Sequence, residues 1–365
     1  MVRIRELRFT KLAIPFKVAF RHASAERAES SSAWVESVSE SGVIGRGESC
    51  PRPYVTGETI KSAQTFFASY EAELRARVAD LSSLCSWMAQ RREELDVNPA
   101  AWCAIELAIL EMLALESSLP LERFLGLPRL AGRFQYTAVL GDMSQDAFQA
   151  TAGQYRRQGF SDFKIKLSGS LERDRKKIAL LRQWPDITVR VDANNLWRTA
   201  DDAIAFLKQL DYPFLAVEEP IAPGQYTELA RIAARLGCKV ILDESFVRES
   251  QIGQLGGDRS TWIINLRVSK MGGLLRSLAV ARAVRNANVG LIVGAQVGET
   301  SVLTRAALAV AHANRDILVA QEGAFGTLLL ERDVCEPSLM FGARGVLDVA
   351  AYPALEQPGF GLSAN

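Results

Sequence analysis

The chain has 365 residues, 48% of them hydrophobic, and its 43 Lys and Arg balance 42 Asp and Glu with only two histidines, His22 and His312. A net charge of +1 supplies no field for nucleic acid or an anionic membrane surface, and no run of about 18 apolar residues predicts a membrane span. Two histidines exclude a three-histidine zinc site and leave little for a Ser-His-Asp or Cys-His nucleophile, so the expected partner is a small molecule and any metal is expected on carboxylates.

The length suits about two domains, or one α/β barrel with an attachment. The amino terminus, MVRIRELRFTKLAIPF, interleaves charges with apolar residues and lacks the pattern of a signal peptide. Five scattered cysteines without a CxxC spacing predict reduced, packed thiols of a cytoplasmic protein.

Residues 2–12 and 31–48 alternate apolar and polar side chains between turn-like stretches, the pattern of antiparallel strands. Between them Arg21–Arg27 reads as a polar loop on the sheet edge. From Thr59 to Glu116 the pattern becomes helical, ending in the apolar run Ala100–Leu115. Residues 1–125 are therefore expected to form an α+β unit. From about residue 134, β-rich segments alternate with polar-faced helical stretches. The strands are Tyr136–Leu140, Phe163–Leu167, Thr188–Asp192, Leu215–Glu218, Val240–Asp243, Trp262–Leu266, Gly290–Gly294 and Ile317–Gln321. Eight units spaced by about 25 residues predict a (β/α)8 barrel over residues 126–334. A doubly wound open sheet fits less well, since no GxGxxG turn follows the first strand. Residues 335–365, rich in Gly and Pro with one strand-like piece at Gly345–Val349, are expected to pack back on the first unit.

Chemistry in such barrels sits where strands end at the carboxyl face. The second strand carries Lys164 and Lys166, two residues apart and so on one face. The third ends at Asp192, the fourth at Glu218, the fifth at Asp243, so one ionisable group recurs at intervals of 26, 26 and 25 residues. Three carboxylates converging inside a barrel repel one another and lose solvation unless a positive charge sits among them. Oxygen ligands without His or Cys point to Mg2+, with Mn2+ as a substitute. Repulsion within the lysine pair, the cation and partial burial would all depress a lysine pKa toward the range of a general base. Lys166, nearer the strand end, is the expected base and Lys164 its tuning neighbour, which suggests removal of a proton α to a carboxylate.

Taken together, KIK, DANNLW, EEP, DES, SKMGG, VGET, the segment Tyr54–Thr59 and the apolar helix make the chain resemble the enolase superfamily, and within it the muconate lactonizing enzyme subgroup. The resemblance implies a modified (β/α)7β TIM-type barrel with an amino-terminal α+β capping domain completed by the carboxyl-terminal tail. It implies one Mg2+ on Asp192, Glu218 and Asp243, Lys166 as acid/base, and Glu299 near the reacting carboxylate. Specificity would come from cap loops around His22 and Tyr54. Related enzymes commonly assemble as dimers or octamers, so a homo-oligomer is expected.

One departure stands out. Where the subgroup carries a second catalytic lysine on the sixth strand, this chain has Arg267, and Lys270 follows three residues later as the strand ends. An unperturbed guanidinium is neutral in fewer than roughly one molecule in 10⁵ at pH 7, so Arg267 is a poor proton carrier but a good fixed cation. The acidic pair of dipeptide epimerases at the eighth strand is replaced by Ala320–Ala324, and His312 falls in a helix, where it reads as structural. The expected activity is a Mg2+-dependent lyase or cycloisomerase on a small carboxylate. An epimerase or racemase of an amino-acid or dipeptide derivative is the alternative, and a ligand-binding member without catalysis the third reading.

Overall fold

The computed structural model describes the backbone of residues 2–22 and 25–363, and among these the side chains of all but residues 18–27. A three-stranded antiparallel sheet opens the chain, with β1 (Ile4–Leu12), β4 (Ser32–Ser39) and β5 (Ile44–Ser49) in the order β1-β4-β5. Between β1 and β4 the backbone forms a hairpin of β2 (Pro15–His22) and β3 (Ala25–Glu29), with Phe20 opposite Arg27 and His22 opposite Ala25. The stretch expected as a loop is thus strand on both sides of its tip. Its polar sequence lacks the alternation that marks a strand. Residues 23 and 24 lie outside the described residues.

Five helices follow: α1 (Ile60–Arg77), α2 (Leu81–Gln90), α3 (Arg92–Val97), α4 (Pro99–Glu116) and α5 (Leu121–Leu125). In α4 every residue from Pro99 to Ala114 is buried, as expected of a helix apolar on all sides. It lies between the small sheet and the barrel. Gly45 and Gly47 let β5 lie directly on it, since a Cβ at either would collide with the carbonyl oxygens of Ala108 or Ala104. The two acids buried in α4 serve neighbouring backbone. Glu106 accepts from the amides of Leu274 and Leu275, and Glu111 from that of Arg46. Glu58 in turn accepts from Ala100 and Ala101 at the α4 amino end, both at 2.8 Å, supplying the cap that Asn98 does not.

After the short β6 (Arg133–Gln135), eight parallel strands run in sequence order: β7 (Ala138–Leu140), β8 (Asp162–Lys166), β9 (Thr188–Asp192), β10 (Ala216–Glu218), β11 (Lys239–Leu242), β12 (Trp262–Arg267), β13 (Gly290–Gly294) and β14 (Leu318–Gln321). The Thr137 amide donates to the Gln321 carbonyl at 2.9 Å and joins the first strand to the last. Tyr136, expected within the first strand, instead donates its amide to Gly345 at 2.7 Å. The outer helices are α6 (Gln145–Arg157), α7 (Leu171–Leu181), α8 (Ala200–Leu210), α9 (Tyr226–Leu236), α10 (Val268–Met271), α11 (Leu274–Asn286) and α12 (Ser301–Ala313). A 3-10 turn, Glu249–Gln254, replaces the helix after β11, and only a 3-10 turn, Gly326–Leu328, follows β14. The architecture is the modified TIM-type barrel with a capping unit. No described helix is long and apolar enough to cross a membrane, and all five cysteines are free.

The tail divides. β15 (Val346–Asp348) pairs antiparallel with β6 at the barrel entrance rather than with the amino-terminal sheet. Gly359 exchanges backbone hydrogen bonds with Leu119 and Leu121 beside α5.

Alternation inside the barrel sets the site. Ala216, Ile241, Ile263 and Ile292, with Ala320 against them, form an apolar layer facing the barrel axis. Two residues further along each strand the same face presents Glu218, Asp243, Asn265, Gly294 and Glu322. An apolar floor therefore carries a charged layer directly above it.

Candidate active site

The strand ends at this layer turn sharply. Asn194, Asn195 and Glu219 all have positive φ, at 43°, 60° and 39°, which releases the backbone immediately after each inward acid. The reversal points Glu219 away from its neighbour Glu218. Its Oε1 accepts from the amides of Asp243 and Ser245, both at 2.7 Å, and its Oε2 from the Ser245 hydroxyl at 2.8 Å. The second acid of EEP thus fixes the DES turn, and through it the position of Asp243.

Lys164 stands within the acid layer. Its Nζ lies 2.7 Å from Glu218 Oε2, 3.2 Å from Glu322 Oε2 and 3.6 Å from Asp192 Oδ2. Burial opposes its charge, but Glu218, Glu322 and Asp192 outweigh burial and raise its pKa. The depression expected for a lysine of the pair therefore does not fall on Lys164. Below it Arg190, fully buried, donates to Glu322 Oε1 and Asp162 Oδ2, each at 2.8 Å, and to Thr137 Oγ1 at 2.6 Å. Lys166, two residues further along the strand, is half-buried. Burial lowers its pKa and Lys164 adds to the effect, against the pull of Asp192. Among the described residues no acid pairs with its ammonium.

Arg267 ends β12, four strands from β8 in a barrel of eight, so it faces Lys166 across the mouth. Its Nη2 pairs with Asp243 Oδ2, and its Nη1 donates to Gln296 Oε1 at 3.0 Å. Burial opposes its charge, but Asp243, Glu218 and Glu244 hold its pKa up. Lys270 is fully buried on α10 and spends its three protons on Asp243 Oδ1 (2.8 Å), the Asp243 carbonyl (2.7 Å) and the Asn265 carbonyl (2.7 Å). Asp243 is held near 2: burial works against it, but Arg267 and Lys270 prevail.

Glu299 lies on the turn after β13. Its Oε1 accepts from the Gln296 amide at 2.6 Å, so Gln296 links it to Arg267. Burial pushes its pKa up to about 8, with Glu48 adding to the effect. Tyr54 is half-buried on the turn after β5, whose Val55 and Thr56 amides donate to the Arg52 carbonyl. His22 ends β2 and its side chain lies outside the described residues. His312 is on α12, its ring 6.2 Å from that of Phe134, away from the mouth.

The donor chemistry fits a hard divalent cation. Asp192, Glu218 and Asp243 lie at the ends of adjacent strands, and Glu218 is pushed up to about 8 chiefly by burial, with Lys164 opposing and Asp192 adding to it. Buried oxygens without a hydrogen-bond donor among the described residues gather on the same strand ends: Asn194 Oδ1, Asn195 Oδ1 and Glu244 Oε2. Among the described residues the three acids are not drawn about one point. Lys164 stands between Asp192 and Glu218, and Asp243 is turned to Arg267 and Lys270.

Several residues of this site escaped sequence reasoning. Glu322 was visible only as a departure from an acidic pair, yet it is the acid shared by Lys164 and Arg190. Arg52 shows no motif. It is buried, and its guanidinium donates to the carbonyls of Ser30, Ser31, Pro51 and Val297 at 2.8–3.1 Å. It ties the hairpin foot, the Tyr54 turn and the β13 turn together. Lys177, on α7, donates to the Lys166 carbonyl at 2.9 Å.

Residues 147–365 match the family described as enolase C-terminal domain-like. The chain is similar to the hydrophobic dipeptide epimerase of Enterococcus faecalis, with 24% identity over 99% of this chain and 100% of that one. It is also similar to muconate cycloisomerase 1 of Acinetobacter baylyi, with 24% identity over 84% of each chain. The dipeptide epimerase from Enterococcus faecalis V583, solved in complex with Mg and L-Leu-L-Tyr, superposes with a TM-score of 0.82 at 23% identity over 99% of both chains. The family match, over more than half of the chain, establishes the superfamily, and relatives of two different named activities leave the muconate lactonizing subgroup unestablished. The chain belongs to the enolase superfamily.

Proposed function

We propose that the chain is a divalent-metal-dependent racemase or epimerase, acting at the carbon α to the carboxylate of an amino-acid or dipeptide derivative. The observation that carries the chemistry is the contrast among the inward cations. Lys164, Arg267 and Lys270 are committed to acids, whereas Lys166 is half-exposed, unpaired among the described residues and lowered in pKa. Lys166 is the one suited to take a proton. The names of the relatives favour stereochemical inversion over the lyase or cycloisomerase reaction expected from sequence.

Asp192, Glu218 and Asp243 would hold the cation, Mg2+ by donor type and Mn2+ as substitute. When bound it would stabilise negative charge developing on the substrate carboxylate. Lys166 would remove the α proton from one face. On the other face Lys270 has no free proton or lone pair, and Arg267 stays charged. Glu299, linked to Arg267 through Gln296 and holding a proton near neutral pH, is the group able to return one there. Arg267 itself would steady the charge.

The missing second lysine favours a second reading, cycloisomerisation or elimination with Lys166 alone. Incubation with Mg2+ in deuterated water separates the two. N-acyl amino acids, dipeptides, acid sugars and muconate-like diacids would be followed by proton NMR and by chirality. Exchange with inversion supports the proposal, and an unsaturated or lactone product supports the second reading. Full exchange by Lys166→Ala refutes both.

A further inference from the structure

Of the three acids proposed to hold the metal, Asp243 is the one with both oxygens taken by protein cations among the described residues, and those cations differ. Lys270 is fixed: it is fully buried and anchored by two backbone carbonyls as well as by Oδ1. Arg267 is not. Its side chain is 14% exposed, and its other tether is a single hydrogen bond from Nη1 to the amide oxygen of Gln296. Its Nε is buried without a partner. Its cross-strand neighbour is Gly294, where a Cβ would strike Asn265 and crowd the Arg267 side chain. On that side the Gln296 amide oxygen alone, among the described residues, holds the guanidinium. Across the mouth stands Lys166 with no acid on it among the described residues, so a carboxylate placed between the two meets cations from opposite walls. The remaining acid of the eighth strand, Glu322, is already shared by Lys164 and Arg190. An ammonium group finds no free counter-charge there.

Resting on the metal-dependent reading above, we infer that Arg267 is an exchangeable cation. It neutralises Asp243 until a divalent cation takes that oxygen, and then transfers its guanidinium fork to the carboxylate of an N-acylated amino acid. Arg267 and the metal compete for Asp243, and the ligand carboxylate relieves the competition. Metal and carboxylate therefore bind with positive coupling, and the coupling runs through Arg267. By linkage each ligand tightens the other by the same factor.

The test is a Mn2+ titration of the full-length protein, with free Mn2+ read by electron paramagnetic resonance, in the presence and absence of N-acetyl-L-alanine as the carboxylate probe. Wild type and Arg267→Gln are compared. The expected results are tighter Mn2+ binding by Arg267→Gln in the absence of probe, and in wild type a probe-induced tightening within the range of about 5- to 150-fold seen for coupled sites. That tightening should be lost or much reduced in Arg267→Gln. Equal Mn2+ affinity in the two proteins, or equal coupling in both, overturns the inference while leaving the metal-dependent function intact. Absence of Mn2+ binding by either protein overturns both. If Arg267→Gln does not fold, the wild-type titration still decides, because no probe-induced tightening there refutes the exchange.

Discussion

Lys177 lies outside the mouth, yet the position of the proposed base depends on it. Its side chain is 2% exposed, and its ammonium donates to the Lys166 carbonyl at 2.9 Å. It also pairs with Asp174 Oδ1 at 3.0 Å and Asp142 Oδ1 at 3.1 Å. Asp174, fully buried, accepts in turn from the Ser168 amide and hydroxyl and from the Gly169 amide at 2.9–3.2 Å. Lys177→Met preserves the length of the side chain and removes the charge. Breaking a buried pair by removing one partner costs about 3–5 kcal/mol, and because Asp174 keeps its other donors the low end, about 3 kcal/mol, is expected. Urea unfolding would read this as a lower midpoint at unchanged slope. Misplacement of a catalytic group by about 1 Å costs up to about 10²-fold, so exchange turnover should fall with little change in KM. The alkaline-side approach to full activity should also move upward, because Asp142 would lose one of its two cations and pull more strongly on the Lys166 proton. A loss of stability below about 0.5 kcal/mol, the level of an ordinary surface change, with an unshifted pH profile, would refute the reasoning.

Four further outcomes are expected. Lys166→Ala should abolish α-proton exchange while leaving Mn2+ binding measurable by the same resonance signal. Lys164→Met should shift the rising limb of kcat/KM to higher pH, since Lys164 lowers the pKa of Lys166, and a limb that stays in place or moves down would count against that coupling. Glu122→Ala removes the fork that holds Arg305 through two bonds of 2.7 Å; chemical denaturation should show a cost of about 3–5 kcal/mol. Glu106 is pushed up to about 8 by burial, against the donors of Leu275 and Leu274. Its stabilising contribution is then complete below the unfolded pKa near 4.5 and lost as pH rises through about 8, so the wild type should lose stability over that window faster than Glu106→Gln.

Much of the barrel is legible because its strands are short, largely apolar runs, and β8, β9, β10 and β12 stop at a charged residue. Thr188–Asp192 and Gly290–Gly294 match the expected spans to the residue, and the in-phase acids follow from alternation alone. What is not legible is which charge pairs with which. Lys164 and Lys166 have the same side chain two residues apart on one face, yet one is raised and the other lowered. The difference lies with Glu322, 158 positions from Lys164, together with Glu218 and Asp192. In the same way the local pattern around Lys270 gives no sign that three acceptors, two of them backbone carbonyls, exhaust its protons. Arg52 is hidden for a related reason. Its partners are all main-chain oxygens, which leave no trace in residue types.

The way Arg52 makes its contacts has a consequence for how this chain could be altered. The hairpin foot is held by main-chain groups: Arg52 grips the Ser30 and Ser31 carbonyls, the Ser30 amide donates to the Ile14 carbonyl at 2.9 Å, and the Lys17 amide donates to the Leu329 carbonyl at 2.8 Å. A clamp of this kind is indifferent to what side chains the clamped segment carries. The part of the segment free to vary is nevertheless bounded: Phe16 packs against Leu330, the Lys17 ammonium donates to the Thr327 carbonyl and the Ser30 hydroxyl bonds Ile14 and Leu12, so an exchange of sequence would have to keep these anchors and begin beyond them.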